Sequence, residues 1–579
     1  FPPTQFYQKE PLWIVLSLAM IILVDLLIIF LTNSIRVGSV IVPFVLFIFA
    51  VVVCVVYEFR GIPMMAPDIL TVQTATSVMG NYTFKLTFEQ YSVILVCMAF
   101  FFTFLRLHEV KVTEKRVFHI AGFIVVALGC GLFTNQIILS DFMEEHQINI
   151  RMFRPMESYQ KYGGVLTFAR SVGYAVVKKP EGYTTAKVDQ IIQEYEKKSA
   201  NEQQSTAKQY PNIITVVNET FADIKVLGDF KTNEDYMPYF HSLKKNCVTG
   251  YTYASIVGGQ TANTEFELLT GNTLGFLSAG TTAFQLYIHG QMPSLVSNLK
   301  AEGYSGNKAM HPFNPYNYNR PAVYKDFGFT DFIDKFDFPK NVKRVREYIS
   351  DEANVDRIIS EYEKNRKKTD QPFYMYNMTI QNHSPYDKDA ANFKQPIKIE
   401  SSKYDAEANR YLNLIKYSDD SLKQLTSYFE KCKEPTIILF LGDHQPRLTD
   451  EFMNKITNGQ YQTWSSEQMM KRYQVPFVIW ANYDIKEQHI EKTSMNYIQS
   501  ILTQTAGVKM TGYQRFLNEV RKEVPTITSQ GYWGKNGKFY QINDKGSPYY
   551  GIIQKYRMIQ YNMMFDKKNR RDSFFEVSK

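Results

Sequence analysis

The chain has 579 residues, 45% hydrophobic and 15% aromatic, with a formal net charge of +8, which is long enough for three or four domains. The charge is modest and dispersed, with no basic-aromatic cluster, so it suits an anionic bilayer surface and gives no nucleic-acid signature. Of five cysteines, Cys54, Cys97 and Cys130 lie in apolar runs while Cys247 and Cys432 stand far apart; this excludes a disulfide scaffold and zinc spacing, and the last two are not expected to pair.

In chain order, apolar residues come first in long runs, as far as about residue 140, and then in short runs separated by charge. Four stretches, 11–31, 37–56, 90–105 and 117–139, are predicted membrane-spanning helices. Asp25 falls inside the first, where a helix–helix hydrogen bond is its expected role. The third-to-fourth connection carries Arg106, Lys111, Lys115 and Arg116, and the first-to-second loop carries Arg36. Both loops should therefore be cytoplasmic, which places 57–89 and everything after residue 139 outside. The same parity puts Phe1 outside. With no initiator methionine, an odd number of further helices, most simply one, is expected upstream, and a cleaved signal peptide fits a polytopic segment less well.

Residues 65–82 read as an amphipathic helix at the outer membrane face, with Ile69, Val72 and Met79 on one side. Residues 141–209 are polar and helical in pattern and form a linker. From residue 210 the pattern changes. The runs 212–219, 373–383, 436–444 and 475–483 are β-branched or aromatic and almost continuously apolar, as in strands buried on both faces. Helical patterns such as 409–432 separate them, so the outer part should be an α/β domain with a mostly parallel sheet flanked by helices. The predicted divisions are a membrane domain to residue 140, the linker 141–209, a catalytic domain 210–510 and an extension 511–579 packed on it.

Ligands in such sheets bind beyond the carboxyl ends of the strands. Three strand ends carry suitable groups: Glu219, His383, and the pair Asp443 and His444. Each alone could equally serve a turn or open a helix, but together they form a mixed oxygen and nitrogen set suited to a divalent ion such as Mn²⁺, Mg²⁺ or Zn²⁺. The stretch GGQTANTEFELLTG, 258–271, places Thr261 at the mouth of a short helix that Gly271 should end. Thr261 reads as a helix N-cap or as a nucleophile whose hydroxyl a metal would activate. Gly258 and Gly259 allow close backbone approach, and a helix N-terminus favours phosphate.

The blocks VVNETFAD (216–223), GGQTANTEF (258–266), HPFNPYNYNR (311–320), TIQNHSPY (379–386) and FLGDHQPRL (440–448), following membrane helices, resemble the lipoteichoic acid synthase and phosphoglycerol transferase family. That family lies within the alkaline phosphatase and sulfatase superfamily. The resemblance implies an α-helical membrane domain followed by a sulfatase-like outer domain. It implies one Mn²⁺, or Mg²⁺, held by Glu219, Thr261, Asp443 and His444, with Thr261 as nucleophile. It places His383 at the leaving or attacking oxygen, Arg320 at the phosphate oxygens, and His311 and Tyr318 near the substrate. The family's acidic residue and tryptophan in the third block are Phe313 and Tyr318 here.

The implied reaction takes glycerol phosphate from phosphatidylglycerol, through a glycerophospho-threonine and with release of diacylglycerol. The acceptor would be a lipoteichoic acid chain, a glycolipid anchor or a wall glycan outside the plasma membrane of a Gram-positive bacterium. The alternative is a phosphoethanolamine transferase or a related metal-dependent phosphodiesterase acting on envelope glycans, though the former typically carries a disulfide-rich outer domain. A sulfatase would need a Cys or Ser followed by x-Pro-x-Arg, whereas Thr261 is followed by Ala-Asn-Thr. A two-metal phosphatase would need more Asp and His ligands, and a non-catalytic scaffold would have no chemical reason to keep all four metal-set residues.

Overall fold

The computed structural model describes residues 11–60, 63–66, 88–106, 108–140, 142–146, 148, 155–174, 177, 179–199, 209–278, 281–459 and 461–577. The expected surface helix at 65–82 lies outside them, apart from its first two residues. The chain divides into two compact units, one of Phe1–Val177 with Ser278–Thr281, the other of Lys178–Leu277 with Thr282–Lys579.

In the first unit, three helices are long and apolar enough to cross a membrane: Pro11–Thr32, Ile35–Cys54 and Arg116–Ile138. Their side chains face outward, with Val117 77% and Val125 68% exposed, which suits hydrocarbon and not water. These helices coincide with three of the four expected spans, 11–31, 37–56 and 117–139. The fourth expected span, 90–105, falls on a helix whose described apolar run is Ile94–Leu105. That run forms the second part of helix Phe88–Leu105. The two basic loops meet at one end of the bundle: Asn33 Nδ2 donates to the Thr113 carbonyl at 2.9 Å and Ile35 N to the Val110 carbonyl at 3.0 Å. Asp25 faces Gly38 on the second helix; its Oδ1 has no hydrogen-bond partner, so that oxygen does not make the expected interhelical bond.

The second unit is built on an eight-stranded sheet. In chain order its strands are β1 (Asn212–Asn218), β2 (Cys247–Tyr253), β3 (Ser305–Met310), β4 (Asp331–Ile333), β7 (Phe373–Met378), β8 (Thr436–Gly442), β9 (Gln474–Ala481) and β10 (Gln488–Ser494). A separate hairpin pairs β5 (Arg344–Val345) with β6 (Tyr348–Ile349), and β11 (Thr526–Thr528), β12 (Gly531–Trp533) and β13 (Phe539–Tyr540) form a small third sheet. The main sheet order is β10-β2-β9-β8-β1-β7-β3-β4. Five of its seven pairings are parallel; β9 runs antiparallel to both β8 and β2.

Strands β1, β7, and β8 are buried along their whole length, which accounts for their unbroken apolar sequences. Their register decides where chemistry can occur. Val217 pairs with Met378 and Asn218 with Gly442, so Glu219, Thr379 and Asp443 leave three adjacent parallel strands side by side at one edge. Gly442 is required there, because a Cβ would fall 1.8 Å from the Phe221 carbonyl oxygen.

The stretch expected as a single linker, 141–209, divides between the units. Helices Pro155–Tyr162 and Gly164–Ser171 belong to the first unit, where Trp13 meets Tyr162 edge-on at 4.8 Å. Helix Thr185–Ser199 belongs to the second, tied by Glu194 to Lys555 at 2.7 Å and by Asp189 to Arg571 at 2.6 Å. Residues 511–579 are part of that same unit.

The loop after β1 is anchored at both ends. Tyr411 donates from its hydroxyl to the Thr220 carbonyl at 2.7 Å, while Asp223 accepts from the hydroxyls of Tyr236 and Tyr251. His241 lies between Asp235, 2.7 Å from Nδ1, and Asp223, 3.8 Å from Nε2. The neighbouring Asp223 carboxylate, opposed by desolvation and reinforced by Asp235, raises its pKa from 6.5 to about 9. Because the folded value is raised, the stabilisation is full below pH 6.5 and disappears as pH climbs through about 9. We predict that His241→Gln lowers the melting temperature at pH 6, and that the difference from the parent protein shrinks steadily in a pH series taken past 9.

Candidate active site

The site is assembled from backbone outward. Glu219 follows β1, and its N–H donates to Thr379 Oγ1 at 3.0 Å. Thr220 takes a positive φ of 49°, which turns its N–H onto Asp443 Oδ1 at 2.7 Å. The same oxygen accepts the His444 N–H at 2.8 Å, so one side of the Asp443 carboxylate is fixed by two backbone donors. His444 Nδ1 lies 2.9 Å from the Gln445 carbonyl oxygen. A carbonyl can only accept, so Nδ1 carries the proton and Nε2 of the neutral ring is an acceptor.

That leaves two acceptors facing each other. Asp443 Oδ2 and His444 Nε2 are buried, have no hydrogen-bond partner and stand 3.2 Å apart. Glu219 Oε1 is 3.9 Å from the same Nε2. Ligand atoms of Glu219, Asp443 and His444 all lie within 4.8 Å of one another, the one such acidic and imidazole group among the described residues. Burial, and then the Asp443 charge, pushes the Glu219 pKa well above the ordinary carboxylate value. A cation at their centre removes both the repulsion and the unsatisfied lone pairs, so the donor set fits a divalent metal.

The Thr261 helix is fastened to this cluster. Gly258 N donates to the Gln445 carbonyl at 2.9 Å. One turn beyond Thr261 and on its face, Thr264 Oγ1 donates to the Asp443 carbonyl at 2.8 Å. The cap expectation needs correction. Gln260, left-handed with φ 65° and making no side-chain cap bond, is the N-cap, and Thr261 is the first helical residue of Thr261–Thr270. The Thr261 hydroxyl is therefore not engaged as a cap. At the other end Gly271 is left-handed with φ 72°, and a Cβ there would lie 2.3 Å from Gln499 Nε2. The hydroxyls of Tyr513 and Tyr556 both donate to its carbonyl, at 2.9 and 2.5 Å.

Arg320 is fully buried and binds Glu265 Oε1 through Nε at 3.0 Å and Nη2 at 2.7 Å. Tyr324 and Tyr376 donate to Glu265 Oε2. The Tyr318 ring lies 5.1 Å from the Arg320 guanidinium. His311, at the end of β3, sets Nδ1 3.0 Å from the Met378 carbonyl; burial and then Arg320 hold its pKa well below 6.5. His383 sets Nδ1 2.7 Å from the Ser384 carbonyl, and desolvation lowers its pKa too. Both rings are thus neutral at pH 7, each with Nδ1 protonated and Nε2 free to accept.

Several residues that the sequence reading passed over support these groups. Asn382 Nδ2 donates to Asn218 Oδ1, the Glu219 carbonyl and Ser418 Oγ. Asn218 and Ser418 in turn donate to buried Asp351 Oδ2. Thr264, Glu265, Thr379 and Asn382 stood inside the quoted blocks, so their proximity to chemistry was a usable signal; Asp351, far away in sequence, gave none. Cys247 and Cys432 are both free.

A sulfatase family model matches residues 211–508. A Rhizobium meliloti protein named for cyclic beta-1,2-glucan modification is 30% identical over 433 residues, 73% of this chain and 65% of that one. The lipoteichoic acid synthase of Staphylococcus saprophyticus is 23% identical over 374 residues, 62% of this chain and 55% of that one. The chain thus matches less than two thirds of either relative's length. The solved phosphoglycerol transferase GacH of Streptococcus pyogenes, in complex with sn-glycerol-1-phosphate, superposes with a TM-score of 0.56 at 20% identity, covering 69% of this chain and 100% of that one; this establishes a shared fold. The chain belongs to the sulfatase family of the alkaline phosphatase superfamily, and the relatives it matches include proteins named lipoteichoic acid synthase.

Two outcomes follow from the geometry. Manganese at a hundredfold excess over its Kd should stabilise the full-length protein in detergent by about 2.7 kcal/mol, read as a rise in melting temperature that Asp443→Asn abolishes. Arg320→Met leaves Glu265 buried without its cation and should cost about 3–5 kcal/mol in urea unfolding. Arg320→Lys should recover only part of that, because a lysine cannot reproduce the paired contact.

Proposed function

We propose that this protein is a membrane-embedded transferase that moves glycerol phosphate from phosphatidylglycerol to an acceptor outside the cell. The observation that carries the reading is the facing pair Asp443 Oδ2 and His444 Nε2, beside Glu219 and tied to the Thr261 helix. Glu219, Thr261, Asp443 and His444 would hold one divalent ion, Mn²⁺ in the first place and Mg²⁺ in the second. When bound, that ion supplies the positive charge that makes the Thr261 alkoxide accessible at neutral pH.

Thr261 Oγ1 then bonds to the donor phosphorus as the bond to the diacylglycerol oxygen breaks, and the threonine proton ends on the departing diacylglycerol. A glycerophospho-threonine remains. The acceptor hydroxyl attacks the same phosphorus, and Thr261 leaves with a proton. His383 Nε2 is the group suited to take the acceptor's proton, because its ring is neutral and its Nδ1 is occupied by the Ser384 carbonyl. Arg320, oriented by Glu265, would bind phosphate oxygens, with His311 and Tyr318 closing that side. Acceptors consistent with this chemistry are a polyglycerophosphate chain, a glycolipid and a wall glycan. By the lysine and arginine bias of its loops, the catalytic domain, 210–510 with its extension 511–579, would lie on the outer face of the membrane.

Purified protein incubated with fluorescent phosphatidylglycerol and Mn²⁺ should release diacylglycerol. Thr261→Ala should lower the rate by at least a thousandfold, and EDTA should stop release until Mn²⁺ is restored. Activity surviving Thr261→Ala sinks the nucleophile, and release from phosphatidylethanolamine alone replaces the donor.

A further inference from the structure

Phe313, which stands where the resembling family has an acidic residue, belongs to a ring cluster contiguous with the site. Its ring stacks with that of His383, centroids 6.2 Å apart and planes inclined by 22°. Tyr348 closes a triangle, 6.1 Å from Phe313 and 5.8 Å from His383. Arg346 fixes the floor of the cluster by donating to the carbonyls of Gln381, His383 and Pro385 at 2.7–2.9 Å. Next to Phe313, whose carbonyl accepts the Lys335 N–H, stands Phe336. It is 73% exposed in a turn that Asp334 holds by a capping box. Lys335 Nζ spans the two rings, 5.9 Å from Phe313 and 5.0 Å from Phe336.

A bare phenylalanine in a well-fastened turn contributes nothing to the core, and this one extends a line of rings leading to the proposed base. The turn is anchored to the sheet on one side, where Asp331 pairs with Lys308 at 3.1 Å. Sugars present C–H faces that lie on aromatic rings, whereas glycerol has no ring face to offer.

We propose that Phe313, Tyr348, and Phe336 form the acceptor subsite and that its occupant is a neutral glycan, whose hydroxyl is delivered to His383. This rests on the transferase reading above and narrows its acceptor. The test separates the two. Full-length Thr261→Ala protein, unable to turn over, is titrated with a neutral β-linked glucose oligosaccharide and with a glycerol phosphate oligomer, binding being followed by calorimetry. The proposal expects the glucan to bind and Phe336→Ala to weaken it about five- to tenfold, the value of one stacked ring. Phe336 is exposed, so this variant does not disturb the core. Tyr348→Phe, which keeps the ring, should bind like the parent. Tighter binding of the glycerol phosphate oligomer, or glucan binding indifferent to Phe336→Ala, overturns it. Diacylglycerol release by the unsubstituted enzyme without acceptor is measured alongside. Its absence defeats the donor reading and leaves the binding result to decide the subsite.

Discussion

Asp443 Oδ2 and His444 Nε2 lie 3.2 Å apart in the protein interior, each presenting a lone pair and neither meeting a donor. Exposed side chains would rotate apart to find water. Here rotation is blocked: the other carboxylate oxygen is gripped by two backbone N–H groups, and the other imidazole nitrogen is bound to the Gln445 carbonyl. Gln445 is itself locked, its amide donating to the carbonyls of Lys471 and Gln474 at 2.8 Å. The sheet thus holds an arrangement that a bound cation would relieve, and that would need no rearrangement to receive one.

A site of this kind needs a rigid frame, and parallel pairing supplies one. Adjacent parallel strands about 4.8 Å apart deliver successive functional groups at hydrogen-bonding spacing. The pairing Asn218 with Gly442 therefore does more than organise the core, since it fixes the separation of Glu219 from Asp443. The polar groups behind them are joined into a network through Asn382, Asn218, Ser418 and Asp351. In a low-dielectric interior such a network resists deformation, because breaking any one bond strands another polar group.

The legible parts of the sequence were those where one physical demand acts alone. Strands β1, β7 and β8 are buried on both faces, and their unbroken apolar runs announce it. Strand β10 is exposed at four of its first five positions, and β2 and β3 have mixed burial; their sequences carry no clean period. Glu219, Asp443 and His444 were readable because each ends a legible strand. Thr261 was readable as a helix-mouth residue but misplaced by one position as a cap, because a left-handed glutamine is not a residue one expects at an N-cap. The antiparallel direction of β9 was hidden, since apolar content says nothing of strand polarity. Asp351 was invisible because its neighbours Asn218 and Ser418 lie 133 and 67 residues away along the chain.

The Thr261 helix shows why the chain beyond the matched sulfatase segment matters to the site. Ten residues make a marginal helix on their own, yet this one is buried from end to end. Its first turn is tied to Asp443 through Thr264, and the carbonyl of its C-cap, Gly271, is held by Tyr513 and Tyr556. Tyr556 lies on helix Tyr550–Met564, well past residue 508 where the family model ends. The proposed nucleophile would have to reach phosphorus within a fraction of an ångström, so a helix free to shift along its axis would serve it poorly. Residues 511–579 act on Thr261 by fixing the far end of its helix, and they belong to the catalytic unit for that mechanical reason.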